Sequence, residues 1–250
     1  LKGELFYTDE TEIDVPENHY LGLKIIFRGR QIPCHPENRI PCFKYVNGVL
    51  KETKDIPLPS MIGCDRKVER RITFWGDSIT QGIGVEENSY NHYAAVFARL
   101  FGDKYSYWDI GIGFARAYDA ASGGVWAYKA SQSDVCTVCF GVNDLGSGRT
   151  PTQILGDLKT IVKTLSENGV RAVVQTTPPF EYSENNSEKW KTLNKLIKKE
   201  VLFKGCVFDE CEFLTDGKNP TPIYGGHPDE KGCEIWGRKL MEFFEKNHIL

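Results

Sequence analysis

From residue 70 onward, short apolar runs alternate with longer segments in which apolar residues recur at helical spacing. The apolar runs predict strands at residues 71–75, 105–110, 134–140, 170–176 and 206–208. The periodic segments predict helices at residues 88–101, 117–130, 152–167, 187–203 and 228–246. Because strands that alternate with helices form open parallel sheets covered on both faces, we expect an α/β three-layer sandwich with a central five-stranded parallel sheet.

The first 65 residues follow a different pattern, with short apolar stretches, several prolines and no helical periodicity. Asn47-Gly48 separates two strand-like runs and predicts a two-residue β-hairpin turn. Residues 21–27 predict another strand, and the proline-containing residues 57–63 predict a linker. We therefore expect a small β-sandwich-like N-terminal domain at residues 1–65 and an α/β domain at residues 66–250. The alternative is an N-terminal extension wrapped on the main domain.

The charge balance of the chain limits its partners. The 250 residues carry 31 basic and 34 acidic side chains, a net charge of −3, and no long run of Lys or Arg. This composition argues against nucleic acid or a membrane surface and favours a neutral small molecule or polymer. No apolar run reaches membrane-spanning length, and Leu1-Lys2-Gly3-Glu4 lacks the features of a signal peptide. A processed N-terminus stays open, because the first residue is not Met.

Eight cysteines are spread along the chain, and Cys136-x-x-Cys139 is the one closely spaced pair. On a strand, residues three apart point to opposite faces, so this pair is not expected to share a zinc ion. Cysteines in a chain of this size are typical of buried, reduced thiols. We therefore expect no metal or cofactor and favour a cytoplasmic location, with secretion as the alternative.

Residues 74–82, with the sequence Phe-Trp-Gly-Asp-Ser-Ile-Thr-Gln-Gly, are the segment with the clearest chemical content. The predicted strand ends at Gly76, where the backbone can turn without a colliding side chain, and Ser78 follows on the turn. A helix starting near Thr80 would direct free backbone N–H groups toward that serine. This arrangement suits a nucleophile in acyl transfer, whereas Asp-Ser as a simple helix cap is the alternative.

Other candidate residues follow the later strands. The segment 109–113, Asp-Ile-Gly-Ile-Gly, ends the second predicted strand, and 141–144, Gly-Val-Asn-Asp, ends the third. His227 precedes the last predicted helix in the sequence Gly-Gly-His-Pro-Asp. Since ligands of open α/β sheets bind at the carboxyl ends of the strands, we expect Ser78, Asn143 and His227 to lie close together.

These segments resemble the conserved blocks of the GDSL or SGNH hydrolases. Gly76-Asp77-Ser78-Ile79 is similar to the Gly-Asp-Ser-Leu signature, 141–144 to the Gly-x-Asn-Asp block, and His227-Pro228 to the block before the closing helix. The resemblance implies a flavodoxin-like SGNH hydrolase fold, with Ser78 as nucleophile and His227 as general base. It also implies an oxyanion hole made by the N–H of Ser78, a backbone N–H of the second block and the side-chain amide of Asn143.

The sequence departs from this family pattern at two positions. The last glycine of the Asn-x-Gly-x-x-Gly block is Phe114 here, so we assign the second backbone donor to Gly113, with the Phe114 N–H as the alternative. The aspartate that the family places three residues before the histidine is Tyr224. Therefore His227 must be oriented by a backbone carbonyl or by another acid, and Asp209, Asp216 and Asp229 are the candidates.

The combination of an N-terminal β region with an SGNH-like domain is similar to two-domain carbohydrate acetylesterases. We therefore expect a serine esterase that removes short acyl groups, chiefly acetyl, from carbohydrates through a Ser78–His227 dyad. One alternative is a lipase or thioesterase of the same superfamily. The other is a sugar-binding module whose esterase activity has decayed.

Overall fold

The structure, a computed structural model, describes residues 9–16, 22–26, 39, 41–54, 63, 66–87, 89–215, 222–224 and 226–250. The chain divides into two compact units. The first comprises Leu1–Asn38 with Cys42–Ile62, and the second comprises Arg39–Pro41 with Gly63–Leu250.

The first unit contains an antiparallel hairpin of β1 (Phe43–Val46) and β2 (Val49–Glu52). Asn47 and Gly48 have φ angles of 52° and 78°, as the tightest hairpin turns require at both central positions, and the predicted hairpin is confirmed. The strand predicted at 21–27 is not found over residues 22–26, whose Ile25 and Ile26 side chains are exposed. Strand preference depends on a half-buried surface, and these exposed side chains lack that burial. Of the predicted linker at 57–63, only Gly63 lies within the described residues.

The second unit is built on a parallel five-stranded sheet, as predicted. In chain order the strands are β3 (Arg70–Gly76), β4 (Tyr105–Asp109), β5 (Val135–Cys139), β6 (Arg171–Gln175) and β7 (Val207–Phe208). Their order across the sheet is β4-β3-β5-β6-β7, the flavodoxin-like arrangement. The chain leaves β3 toward β4 on one side and returns to β5 on the other. The carboxyl ends of β3 and β5 therefore flank the point where the winding direction reverses.

The helices of the second unit are 4 to 17 residues long, and not all of them match the predicted bounds. The helices are α1 (Ser78–Gln81), α2 (Tyr93–Phe101), α3 (Ala117–Ala121), α4 (Gly124–Ala130), α5 (Val142–Gly146), α6 (Pro151–Glu167), α7 (Glu184–Lys199), α8 (Cys211–Leu214) and α9 (Glu230–Lys246). The helix predicted at 117–130 is two helices, because Gly123 and Gly124 adopt φ angles of 79° and 80° that a continuous helix excludes. No helix among the described residues has the length and apolar content needed to span a bilayer.

The hydrophobic core lies on both faces of the sheet. One cluster contains Trp75 and Cys136 with residues of α6 and α7. The other contains Phe74 and Cys139 with residues of α2 and α9, where the rings of Tyr93 and Trp236 stack 4.4 Å apart. Cys136 and Cys139 are therefore on opposite faces, as strand alternation predicts. Because helices cover both faces of the sheet, polar side chains such as Ser78 and Asn143 lie at its carboxyl end.

Candidate active site

Ser78 is held at the first turn of α1, directly beyond the end of β3. Gly76 makes this turn possible, since a Cβ there would lie 2.0 Å from Thr80 Oγ1 and 2.7 Å from the carbonyl oxygen of Cys139. Asp77 caps the helix by accepting a hydrogen bond of 2.9 Å from the N–H of Ile79. The helix begins at Ser78, two residues before the predicted start. The N–H of Ser78 is consequently one of the first-turn donors that a helix leaves without an intrahelical acceptor.

His227 lies next to Ser78, although it comes from a distant part of the sequence. Its Nε2 atom lies 2.9 Å from Ser78 Oγ, although the two residues are 149 positions apart. The ring of Phe180 packs edge-on against the imidazole, with 5.5 Å between ring centroids. Gly84, with a φ of 110°, lies so close that an added Cβ would be 2.8 Å from the Cβ of His227. The imidazole therefore packs against an aromatic ring, and the backbone of Gly84 lies close to the base of the His227 side chain.

The loop that carries His227 leads directly into α9. The carboxylate of Asp229 caps this helix by accepting a hydrogen bond of 2.7 Å from the N–H of Gly232. The helix starts at Glu230 rather than at the predicted residue 228, so the histidine lies before the cap. Its position is therefore set by the start of the last helix, which packs in the core.

Asn143 lies beyond β5, in the first turn of α5, next to Asp77. Its Nδ2 donates to the carbonyl oxygen of Ala115 at 3.1 Å and to Asp77 Oδ2 at 3.3 Å. Both amide hydrogens therefore have acceptors in this structure, and an oxyanion would share or replace one of them. Burial raises the pKa of Asp77 to about 7, against hydrogen bonding by the backbone N–H of Ile79, and the charge of Asp144 raises it further.

A tight turn between β4 and α3 completes this group of residues. The N–H of Ala115 donates to the carbonyl oxygen of Ile112 at 3.2 Å, which places Gly113 and Phe114 at the two central positions. The N–H of Ile112 in turn donates to the carbonyl oxygen of Gly76 at 3.1 Å. Phe114 has a φ of 62°, whereas Gly113 does not have a positive φ. The left-handed position, which turns normally give to glycine, is thus occupied by phenylalanine.

The sequence did not point to a half-buried pair of His92 and Asp109 beside this turn. The His92 Nδ1 atom lies 3.3 Å from Asp109 Oδ2, and Asp109 Oδ1 accepts a hydrogen bond of 2.8 Å from the N–H of Gly111. Burial lowers the pKa of His92 to about 4, and nearby arginine charges lower it further. Burial raises the pKa of Asp109 to about 7. The signal that could have identified this pair is the position of Asp109 at a strand end.

Tyr224, which replaces the usual aspartate, is buried and turned toward another partner. Its hydroxyl donates to the carbonyl oxygen of Pro179 at 3.5 Å, and its ring packs against Gly232 at the start of α9. Burial raises the pKa of this phenol far above its ordinary value, so the side chain is neutral. It therefore supplies no negative charge to the active site.

Two of the three acids proposed as substitutes have other partners. Asp209 accepts from Thr176 Oγ1 at 3.0 Å and from Lys198 Nζ at 2.6 Å. Asp229 is occupied as the cap of α9. Asp216 lies outside the described residues. The structure therefore brings Ser78, Asn143 and His227 together and gives Asp209 and Asp229 structural partners.

This arrangement has the components of covalent acyl transfer: a hydroxyl within hydrogen-bonding distance of an imidazole, with neutral N–H donors around it. Within the described ranges, no cluster of three or more His, Cys, Asp or Glu side chains is arranged to hold a metal ion.

Comparison with known families identifies the same part of the chain. The model of the GDSL-like lipase/acylhydrolase family matches residues 74–235, more than half of the sequence. The match begins at the end of β3 and includes Ser78, Asn143 and His227. Among proteins of curated function, none matches this sequence.

Solved structures with low sequence identity share the fold. A member of the lipolytic protein G-D-S-L family from Veillonella parvula superposes with a TM-score of 0.59 at 17% identity, covering 70% of this chain and 98% of its own. Est24, a carbohydrate acetylesterase from Sinorhizobium meliloti, gives 0.57 at 20% identity, with coverage of 73% and 100%. The psychrotrophic esterase EstA from Pseudoalteromonas sp. gives 0.56 at 11% identity, with coverage of 72% and 99%. These superpositions show a common fold.

Proposed function

Because this chain belongs to the GDSL-like lipase/acylhydrolase family, we propose that it is a serine esterase with Ser78 as nucleophile and His227 as general base. The observation that carries the proposal is the distance of 2.9 Å between Ser78 Oγ and His227 Nε2. The pair lies at the carboxyl end of the sheet, beside the reversal point between β3 and β5, where such sheets bind ligands.

The reaction follows from this pair of groups. As Ser78 Oγ attacks the ester carbonyl carbon, His227 Nε2 takes the hydroxyl proton, and the carbonyl oxygen becomes an oxyanion. Collapse of the tetrahedral intermediate breaks the bond to the alcohol, which leaves with the proton from His227. A water molecule then gives a proton to His227 and attacks the acyl-enzyme. When the second tetrahedral intermediate collapses, His227 returns this proton to Ser78 Oγ, the carboxylic acid leaves, and the serine is restored.

Three neutral donors would stabilise the oxyanion in this mechanism: the N–H of Ser78, the side-chain amide of Asn143 and one N–H of the turn at residues 112–115. Glycine content favours Gly113 as the turn donor, whereas the left-handed φ of Phe114 favours the Phe114 N–H. Phe114 stands at the position of the family's final glycine, and its conformation is the one that glycine favours. Removal of one such donor typically lowers kcat by about 10²–10³.

We further propose that catalysis uses a Ser–His dyad rather than a triad with Asp209 or Asp229. Both carboxylates are held by other partners, and Tyr224 donates its hydroxyl to a backbone carbonyl. The ring of Phe180 packs against the imidazole and Gly84 lies close to the His227 Cβ, so both restrict the position of this side chain.

The preferred substrate class is the acetyl ester of a carbohydrate. This proposal is supported by the shared fold with a carbohydrate acetylesterase and by the two-unit organisation of the chain. The alternatives are a lipase or thioesterase, and a sugar-binding module without turnover. The short distance within the Ser78–His227 pair argues against a decayed active site.

The nucleophile is tested by measuring hydrolysis of ethyl acetate by the wild type, Ser78→Ala, His227→Ala and the double variant. Each single change should lower kcat by about 10³-fold or more, and the double variant should be no worse, since the two groups act as a unit. Ser166→Ala, at an exposed position on α6, is the matched control and should retain full activity. Additive losses, or a Ser78→Ala variant as active as the wild type, would disprove the assignment.

The substrate class is tested with one alcohol and acyl chains from two to twelve carbons, followed by acetylated pyranosides. A carbohydrate acetylesterase should have its highest kcat/KM with acetyl esters and a higher value with the sugar. A maximum at eight carbons or longer would establish the lipase or thioesterase alternative. Binding of the deacetylated sugar without hydrolysis of any ester would establish the binding module.

A further inference from the structure

The side chain of Phe114 is unusual among the phenylalanines of the second unit. It is 78% exposed, and the other phenylalanines that the structure describes in this unit are buried or half-buried. No aromatic ring packs against it among the described residues. The ring therefore contributes nothing to the core, although burial is the usual role of a phenylalanine.

The backbone conformation of Phe114 is also energetically unfavourable. A φ of 62° is unfavourable for a residue with a Cβ, and glycine would adopt it freely. Gly113 stands one position earlier in the same turn and does not use this freedom. Glycine at 114 would relieve this strain, so neither the backbone conformation nor core packing accounts for a phenylalanine at this position. Residues in strained conformations gather at functional sites, which is consistent with this placement.

The turn places this ring at the edge of the proposed active site. Its first residue, Ile112, is hydrogen-bonded to Gly76, two positions before Ser78. Its last residue, Ala115, accepts a hydrogen bond from the side-chain amide of Asn143. Phe114 lies between these two anchors, so the turn that carries the ring borders the residues that would bind the ester carbonyl.

We propose that the ring of Phe114 is a specificity-determining contact for the alcohol part of the ester, and that this alcohol is a sugar ring. An acyl chain is typically enclosed in an apolar groove, whereas a single exposed ring covers only one face of its ligand. A pyranose has an apolar face of C–H groups and polar hydroxyls at its rim, so it can stack on the phenyl ring while the hydroxyls remain in water. This inference rests on the proposed esterase function and specifies its leaving group.

The test compares two acetyl esters, ethyl acetate and an acetylated methyl pyranoside, using the wild type, Phe114→Ala and Phe114→Tyr. The readout is the ratio of kcat/KM for the sugar ester to kcat/KM for ethyl acetate. Since both esters have the same acyl group, any change in the oxyanion hole affects both and cancels in the ratio. Phe114→Ala should lower the ratio at least tenfold, chiefly through KM, and Phe114→Tyr should retain it because the ring is kept.

Tyr90→Ala is the matched control, since Tyr90 is also exposed and also has a positive φ, of 52°. It lies beside Arg99, which donates to its carbonyl oxygen, and this change should leave the ratio unchanged. An unchanged ratio in Phe114→Ala, with Ser78-dependent hydrolysis intact, would overturn the role of the ring while the esterase proposal stands. Failure of the wild type to hydrolyse either ester would overturn both.

Discussion

The second unit should become less stable as pH rises, because the buried carboxyl of Asp77 resists losing its proton in the folded state. Asp77→Asn should remove the contribution of this group to the pH dependence. Burial raises the pKa of Asp77 from its ordinary 3.8 to about 7 in the folded protein. Between these values the folded state holds a proton that the unfolded state has lost. The free energy of unfolding therefore falls with rising pH, and the stability is fully present only below about pH 4.

The magnitude follows from the same two pKa values. At about 1.4 kcal/mol per pKa unit, the difference between 3.8 and about 7 amounts to roughly 4 kcal/mol in full. Of this, about 2.5 kcal/mol is lost between pH 5 and pH 8, because the unfolded state is already largely ionised at pH 5. In Asp77→Asn, the loss over this range should be smaller by that amount.

The assay is urea denaturation at several pH values from 5 to 8, followed by tryptophan fluorescence. All five tryptophans lie in the second unit, so the signal reports the unfolding of the unit that contains Asp77. Subtracting the variant from the wild type removes the contributions of other buried acids, including Asp109. Parallel stability curves for the two proteins would refute the buried, protonated state of Asp77.

Asp134→Asn is the control for this experiment. Burial raises the pKa of Asp134, but its hydrogen bonds from Arg71 lower it more, and the net value is below the ordinary one. This carboxylate is therefore ionised in both the folded and the unfolded state throughout pH 5–8. Its replacement should lower stability without changing the pH dependence in this range.

Three further results are expected. In urea denaturation, Gly76→Ala should destabilise the protein by at least about 3 kcal/mol, since its Cβ would overlap a threonine hydroxyl and a backbone carbonyl. Its control, Gly156→Ala on the exposed side of α6, should stabilise the protein by about 0.5–1 kcal/mol. Phe114→Gly should raise the free energy of unfolding by about 0.5–1 kcal/mol, and a loss of stability there would contradict the strained backbone. Asp209→Asn should keep kcat/KM within about tenfold, because its carboxylate is bound to Lys198, and a loss of several orders of magnitude would reveal a third catalytic residue.

The parts of the fold that depend on local sequence were predictable. All five strands of the parallel sheet begin and end within one residue of the predicted bounds. Short β-branched and apolar runs between helices strongly favour buried strands. The Asn47-Gly48 turn has a single favourable geometry. The prediction failed where burial or backbone geometry decides: Ile25 and Ile26 are exposed and residues 22–26 form no strand, and the pair Gly123-Gly124 divides a periodic segment into two helices.

The geometry of the candidate site was predictable to a similar extent. The approach of Ser78, Asn143 and His227 follows from their positions at strand ends and before the last helix. The partners of the acids did not follow, because the sequence does not reveal that Lys198 binds Asp209 or that the hydroxyl of Tyr224 reaches Pro179. Likewise, the choice between Gly113 and Phe114 depends on a backbone angle, and glycine content alone favoured the residue that does not need it.

The separation of 149 residues between Ser78 and His227 has a consequence for the biosynthesis of the protein. During translation the serine emerges early, but the histidine emerges after all five strands of the sheet, and it is fixed only when α9 docks against α2 through Trp236 and Tyr93. A nascent chain without this helix would therefore bear the proposed nucleophile and lack the proposed base. Ester hydrolysis by the proposed dyad would then require completion of the whole second unit, and a partly synthesised or misdocked chain would be inactive.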